Sequence, residues 1–98
     1  MKRGTTPTNI FNVNVDLTGA EVIYVTYKQS DSVVVEKEKG DCTVTSESIS
    51  VMLTQEDTLK FNTGPVEIQI RARFPNESAI ASNIMKTTVT RILKGGVI

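Results

Sequence analysis

Over positions 66–74 apolar and polar residues alternate without a slip: Val66, Ile68, Ile70, Ala72 and Phe74 are apolar, and Glu67, Gln69, Arg71 and Arg73 between them are polar. Successive strand side chains leave opposite faces of a sheet, so this period of two predicts a strand with one face on a core and the other in water. The same pattern recurs along the chain, and no comparable helical stripe does. Phe11, Val13 and Val15 alternate with Asn12, Asn14 and Asp16, predicting a first strand with a wet outer face that ends in the turn Leu17-Thr18-Gly19. Positions 20–29 predict a second strand, with Ile23, Val25 and Tyr27 on one side and Val22, Tyr24, Thr26 and Lys28 on the other. Both of its faces are partly apolar, which suits a central strand.

Ser30-Asp31-Ser32 turns the chain into the β-branched run Val33-Val34-Val35, a third strand, and positions 36–41 read as a charged hairpin tip centred on Gly40. Positions 43–46 predict a short return strand, followed by Ile49, Val51 and Leu53 alternating with Ser48, Ser50 and Met52. These are two edges or one bent hairpin. At Thr54 the period breaks. Thr54 with Asp57 three positions on resembles a capping box, so positions 55–60 predict one helical turn, after which Leu59 and Phe61 fold back onto the sheets. Asn62-Thr63-Gly64-Pro65 is a turn that delivers the chain into the strand at 66–74, and Pro75-Asn76-Glu77-Ser78 closes that strand. A last strand over 79–93 alternates imperfectly, which calls for a bulge or a crossing between sheets.

About seven strands at this spacing predict an all-β fold, an antiparallel immunoglobulin-like β-sandwich with one short helical turn near 55–60. The 98 residues make a single domain, 1–98, with a mobile polar arm at 1–7 and a hydrophobic tail at 94–98 behind the hinge Gly95-Gly96. A domain of this size buries roughly 60 to 65% of its unfolded surface, so its stability is modest and association would add to it.

Eleven basic and eleven acidic residues give a formal charge of zero, which leaves no electrostatic footprint for nucleic acid or an anionic membrane. It also removes the self-repulsion that keeps small domains apart. No apolar run is long enough to span a bilayer and no apolar leader opens the chain, so synthesis and residence in the cytoplasm are expected. A single cysteine, Cys42, agrees with that compartment, since it has no partner for an intrachain disulfide.

The chain has no histidine, the commonest general base and a frequent metal ligand. Cys42 follows Asp41, whose negative charge raises a thiol pKa, the opposite of what a nucleophile needs. Glu56 and Asp57, and Glu36 and Glu38 around Lys37, lack the spacing of a calcium loop, and the glycines form no phosphate-cradling run. No catalytic, cofactor-binding or metal-binding residues are therefore predicted, and the protein is expected not to be an enzyme. Candidate partner contacts are Arg71 and Arg73, whose guanidinium groups can grip carboxylates, and Val97 and Ile98, which can dock on their own sheet, add to a neighbouring subunit or fray. The strand edge at 33–37 is a further candidate for pairing.

The order of segments Arg3-Gly4-Thr5-Thr6-Pro7-Thr8, Val25-Thr26-Tyr27-Lys28-Gln29, the stretch 51–61, the alternating 66–74 and Ile92-Leu93-Lys94-Gly95-Gly96-Val97-Ile98 resembles a group of small proteins encoded in tail and structural regions of phages and prophages of Gram-positive gut bacteria. It is also similar in outline to the N-terminal, immunoglobulin-like domain of baseplate upper proteins. The resemblance implies a non-enzymatic virion structural or tail-assembly protein, synthesised in the host cytoplasm and then carried in the virion, whose partners are other phage structural proteins and further copies of itself. It implies no functional residues. Two other classes fit the residues: a carbohydrate- or cell-surface-binding module, which needs an exposed aromatic platform that Tyr24 and Tyr27 on opposite strand faces do not supply together, and a small regulatory or inhibitory binder within the host.

Overall fold

The computed structural model describes residues 1–98. Strands β1 (Thr8–Asn12), β2 (Val22–Gln29), β3 (Ser32–Glu38), β4 (Cys42–Val44), β5 (Ser48–Met52), β6 (Gly64–Arg73), β7 (Ala79–Ala81) and β8 (Met85–Val89) follow in chain order, with one helical turn, α1 (Gln55–Leu59), between β5 and β6. They form two antiparallel sheets, one ordered β1-β5-β4 and the other β3-β2-β6-β7, with β8 also pairing β6. The sheets pack together as a β-sandwich, the class that the alternation predicts.

The diagnostic strand is β6. Val66, Ile68, Ile70 and Ala72 are buried, while Glu67, Arg71 and Arg73 are exposed. In β2, Ile23, Val25 and Tyr27 are buried, and β2 lies between β3 and β6 as a central strand should. These side chains join Ile49, Val51, Leu53, Phe61, Val66 and Val89 in one core of 15 residues. Tyr27 and Phe61 meet with ring centroids 6.0 Å apart in a tilted arrangement, a geometry that favours aromatic pairs beyond their buried area.

Several boundaries differ from the sequence expectation. The first strand begins at Thr8 and ends at Asn12; beyond it Val15 is exposed, although the Val13 N–H still donates to Glu47 O. Glu36 to Glu38 stay in β3, so the turn is confined to Lys39–Asp41, and it carries the chain from the large sheet to the small one. β4 and β5 are one hairpin, which settles that alternative. The last strand is split, giving eight strands, because the chain loops out between Ala81 and Met85 while both pieces pair with β6. Ser82 closes that interruption: its N–H donates to Ile70 O and its hydroxyl accepts from Ile70 N, so a side chain supplies the acceptor that the ladder lacks.

Residues 1–7, expected as a mobile arm, are tied to the body. Arg3 N donates to Thr90 O, Thr90 N donates to Met1 O, and Lys2 bridges Thr90 in parallel, so residues 1–3 continue the large sheet past β8. The Arg3 guanidinium donates to Leu59 O at 2.9 Å and the Thr58 hydroxyl donates to Thr5 O at 2.8 Å. Gly4 sits at φ 71°, where a Cβ would come 2.9 Å from Ile92 Cδ1, so this crossing suits glycine.

Candidate functional site

The helical turn α1 forms where the sequence says it should. The Thr54 hydroxyl accepts from Asp57 N at 3.1 Å, and the Asp57 carboxylate accepts from Thr54 N at 2.9 Å, a reciprocal cap built with aspartate in place of the usual glutamate. Asp57 also takes Lys37 Nζ at 2.8 Å, with both side chains largely buried. Burial pushes the Asp57 carboxyl up, but the hydrogen bonds from Lys37 and Thr54 outweigh it, so its pKa lies below the ordinary carboxylate range. The Asp57 carboxylate thus caps the turn and pairs with Lys37. Glu56 and Asp57 belong to no cluster of three or more metal-ligating side chains, and neither do Glu36 and Glu38.

The Cys42 thiol donates to Glu38 O at 3.3 Å, and its pKa is raised, first by burial and then by Asp41. This environment disfavours the thiolate. Tyr27 is fully buried and its hydroxyl accepts from Asn9 Nδ2 at 2.8 Å; burial drives its pKa up to about 12. Tyr24 faces outward, so the two tyrosines do not share a surface.

Arg71 and Arg73 stand together on the outer face of β6. Arg71 lies opposite Tyr24 of β2, and Arg73 lies opposite Val22 and reaches Glu21 at 3.5 Å. Both partners of that ion pair are about half exposed, and such pairs contribute little, roughly 0 to 1 kcal/mol. Val97 and Ile98 are elsewhere. The main chain of Ile98 is held by the side-chain amide of Gln55, which donates to Ile98 O and accepts from Ile98 N. Their side chains stay in water: Leu93, Val97 and Ile98 are 93, 56 and 88% exposed.

Two features escape a reading of the sequence. One is a cleft of about 740 Å³ between residues 12–17 on one wall and Ile70, Ala72 and residues 80–85 on the other. Its walls are mostly apolar, and they come from segments some 60 residues apart, so no local pattern announces it. The other is the treatment of the sheet edges. At β3 the register slips between Tyr27 and Lys28 of its partner strand, leaving Val34 as an extra residue, and Lys37 points inward to Asp57. A bulge and an inward charge are both devices that keep an edge from pairing with another chain. The edge at 33–37, expected as a candidate for pairing, is thus a guarded one.

Compared with protein families, with curated proteins and with solved structures, the chain matches none. No helix is long and apolar enough to cross a membrane.

Proposed function

We propose that the chain is a non-enzymatic structural or tail-assembly component of a phage or prophage virion, acting through protein–protein contacts. The observation that carries this reading is the C-terminal tail. Three large apolar side chains within six residues, Leu93, Val97 and Ile98, are left in water outside the core of 15 buried residues. Large apolar groups kept in water are what an assembling subunit can offer to its partners. The resemblance of the ordered segments from Arg3 to Ile98 to phage structural proteins supplies the class of partner. The neutral net charge supports it, since neutral subunits approach one another without long-range repulsion.

The mechanism is burial of complementary surface, with the tail moving from its Gln55 tether onto a neighbouring protein. The test is the protein content of virions purified after induction of the bacterium that carries the gene. The chain is expected in fixed proportion to the major structural proteins. A truncation that removes Val97 and Ile98 is expected to enter particles poorly while melting within a few degrees of the full chain. Absence of the full chain from purified particles overturns the reading.

A further inference from the structure

The sheet edges are treated unequally. β3 carries the bulge at Val34 and the inward Lys37, β4 and β7 are three residues long, and β8 is continued by residues 1–3. β1 has none of these protections. Its five residues, Thr8, Asn9, Ile10, Phe11 and Asn12, include no charge, proline or glycine, and its pairing with β5 runs without a slip. Natural sheets guard long edges or use them.

The register shows which groups the edge offers. Leu53 N donates to Pro7 O and Val13 N donates to Glu47 O, so the bonded positions of β1 facing β5 are 7, 9, 11 and 13. The N–H and C=O groups of Thr8, Ile10 and Asn12 therefore point away from the sheet and have no partner within the chain. The side chains of the same three residues are exposed on the outer face, Ile10 at 65%, with Met52 of β5, 63% exposed, diagonally beside it.

We infer that β1 pairs with β1 of a second copy of this chain, antiparallel about a twofold axis through Ile10. In that register Ile10 faces its own equivalent and Thr8 faces Asn12, so every outward group meets an outward group. The result is about six main-chain hydrogen bonds, two for each facing pair. Side chains stay on their own faces, because a twofold perpendicular to the sheet preserves the alternation. The two exposed isoleucines meet across the axis, a β-branched contact of the kind that stabilises sheets. No like charges come together, since residues 8–12 carry none, and the chain is neutral overall. The small sheet becomes six-stranded, in the order β4-β5-β1-β1-β5-β4. A second copy is the occupant because the same free edge is present on each copy, residues 8–12 bring no charge to the axis, and two neutral chains approach without long-range repulsion. The five-residue edge places the interface among small, weak ones.

The inference goes further than the virion reading, which expects copies of the chain among its partners, and rests on the β1 edge and not on the tail, so either can fail without the other. Sedimentation equilibrium of the full chain from roughly 10 to 500 µM should show a monomer–dimer equilibrium. Ile10→Lys, which sets two ammonium groups face to face, should weaken it at least about tenfold. Asn12→Pro should do the same, because it removes only an outward N–H and leaves the β5 ladder whole. Val33→Lys on β3 should leave it unchanged. Amide exchange at Thr8, Ile10 and Asn12 should slow as concentration rises, which also covers the case of a variant that folds poorly. A monomer throughout the range, a dimer indifferent to both β1 variants, or exchange at these amides that ignores concentration overturns the inference.

Discussion

The two ends of the small sheet are finished in opposite ways. α1 follows Met52, which pairs with Thr8, whereas the cleft opens at Asn12, which pairs with Ser48. Around α1, most polar groups from distant segments find partners: Lys37 with Asp57, Asn9 with Tyr27, Thr58 with Thr5, and Arg3 with Leu59 O, although Arg3 Nε is buried without one. Phe61, Leu53 and Tyr27 are fully buried beneath them. At the cleft, Val13, Leu17, Ile80 and Met85 face one another across open space, and Val15 is exposed. A sandwich of three strands against five has too little small sheet to cover the large one. The sequence closes one end with a capped helical turn and leaves the other apart. Stability is therefore concentrated near α1, and the cleft end can change at small cost.

The largest expected effect follows from that difference. Phe61→Ala empties a fully buried ring site and removes the contact with Tyr27, so it should lower unfolding free energy by about 3 to 5 kcal/mol. Met85→Ala, a truncation at the cleft wall, should cost less than about 1 kcal/mol, because that side chain is half-buried and borders space already open. Urea unfolding of both variants measures the contrast, and equal losses would remove the distinction between the ends.

The pair Lys37–Asp57 gives a smaller effect with a pH signature. The folded-state pKa of Asp57 is depressed, so its contribution is complete above about pH 4 and is lost as pH falls through the folded value. Asp57→Asn should cost about 1 to 2 kcal/mol at pH 7, where it weakens the cap and leaves the ammonium of Lys37 without its counter-charge. Below about pH 4 the gap between the parent and the variant should narrow as pH falls towards and through the folded-state value. Denaturation at pH 7, 5, 4 and 2.5 checks this, and a gap that does not narrow at all between pH 4 and 2.5 would mean that the carboxylate charge is not what holds α1 in place.

The ends were not equally legible before the structure. The turn α1 was readable because a capping box is local: Thr54 and Asp57 need only each other and three residues of backbone. The strands β2 and β6 were readable because each side chain has one of two environments, and alternation records which. The pairing of Lys37 with Asp57 joins residues 20 apart, and inward-pointing charge runs against the pattern that reads Lys as solvent-facing. The tie between residues 1–3 and Thr90 spans almost the whole chain, so polar composition suggested an arm where the backbone makes a sheet. The free edge at β1 was hidden for another reason. Asn12 reads as wet, whereas Asn9, with the same amide, turns inward to Tyr27, and its type alone does not announce that. The candidate contacts Arg71 and Arg73 proved neighbours on one face, while Val97 and Ile98 lie at α1, so the four residues do not form one surface.

A backbone change outside both α1 and the cleft provides the smallest effect and a control. The β2–β3 hairpin turns through Ser30 and Asp31, whose φ angles of 51° and 64° place two non-glycine residues in the left-handed region. Two-residue hairpins of this form favour glycine at the second position, where a Cβ costs energy. Asp31→Gly should therefore stabilise the domain by a few tenths to about 1 kcal/mol and raise its melting temperature by roughly 2 to 5 °C. Because the turn touches neither α1 nor the cleft, its gain should add to the losses at Phe61 and Met85 within about 0.5 kcal/mol in double variants. Additivity with both would mean that the two ends differ through their own packing. Strong coupling to Phe61→Ala alone would mean that the strain at Ser30 and Asp31 is held by the α1 end, through the bonds that join Gln29 to Asn62, and that the better-packed region extends into the hairpin.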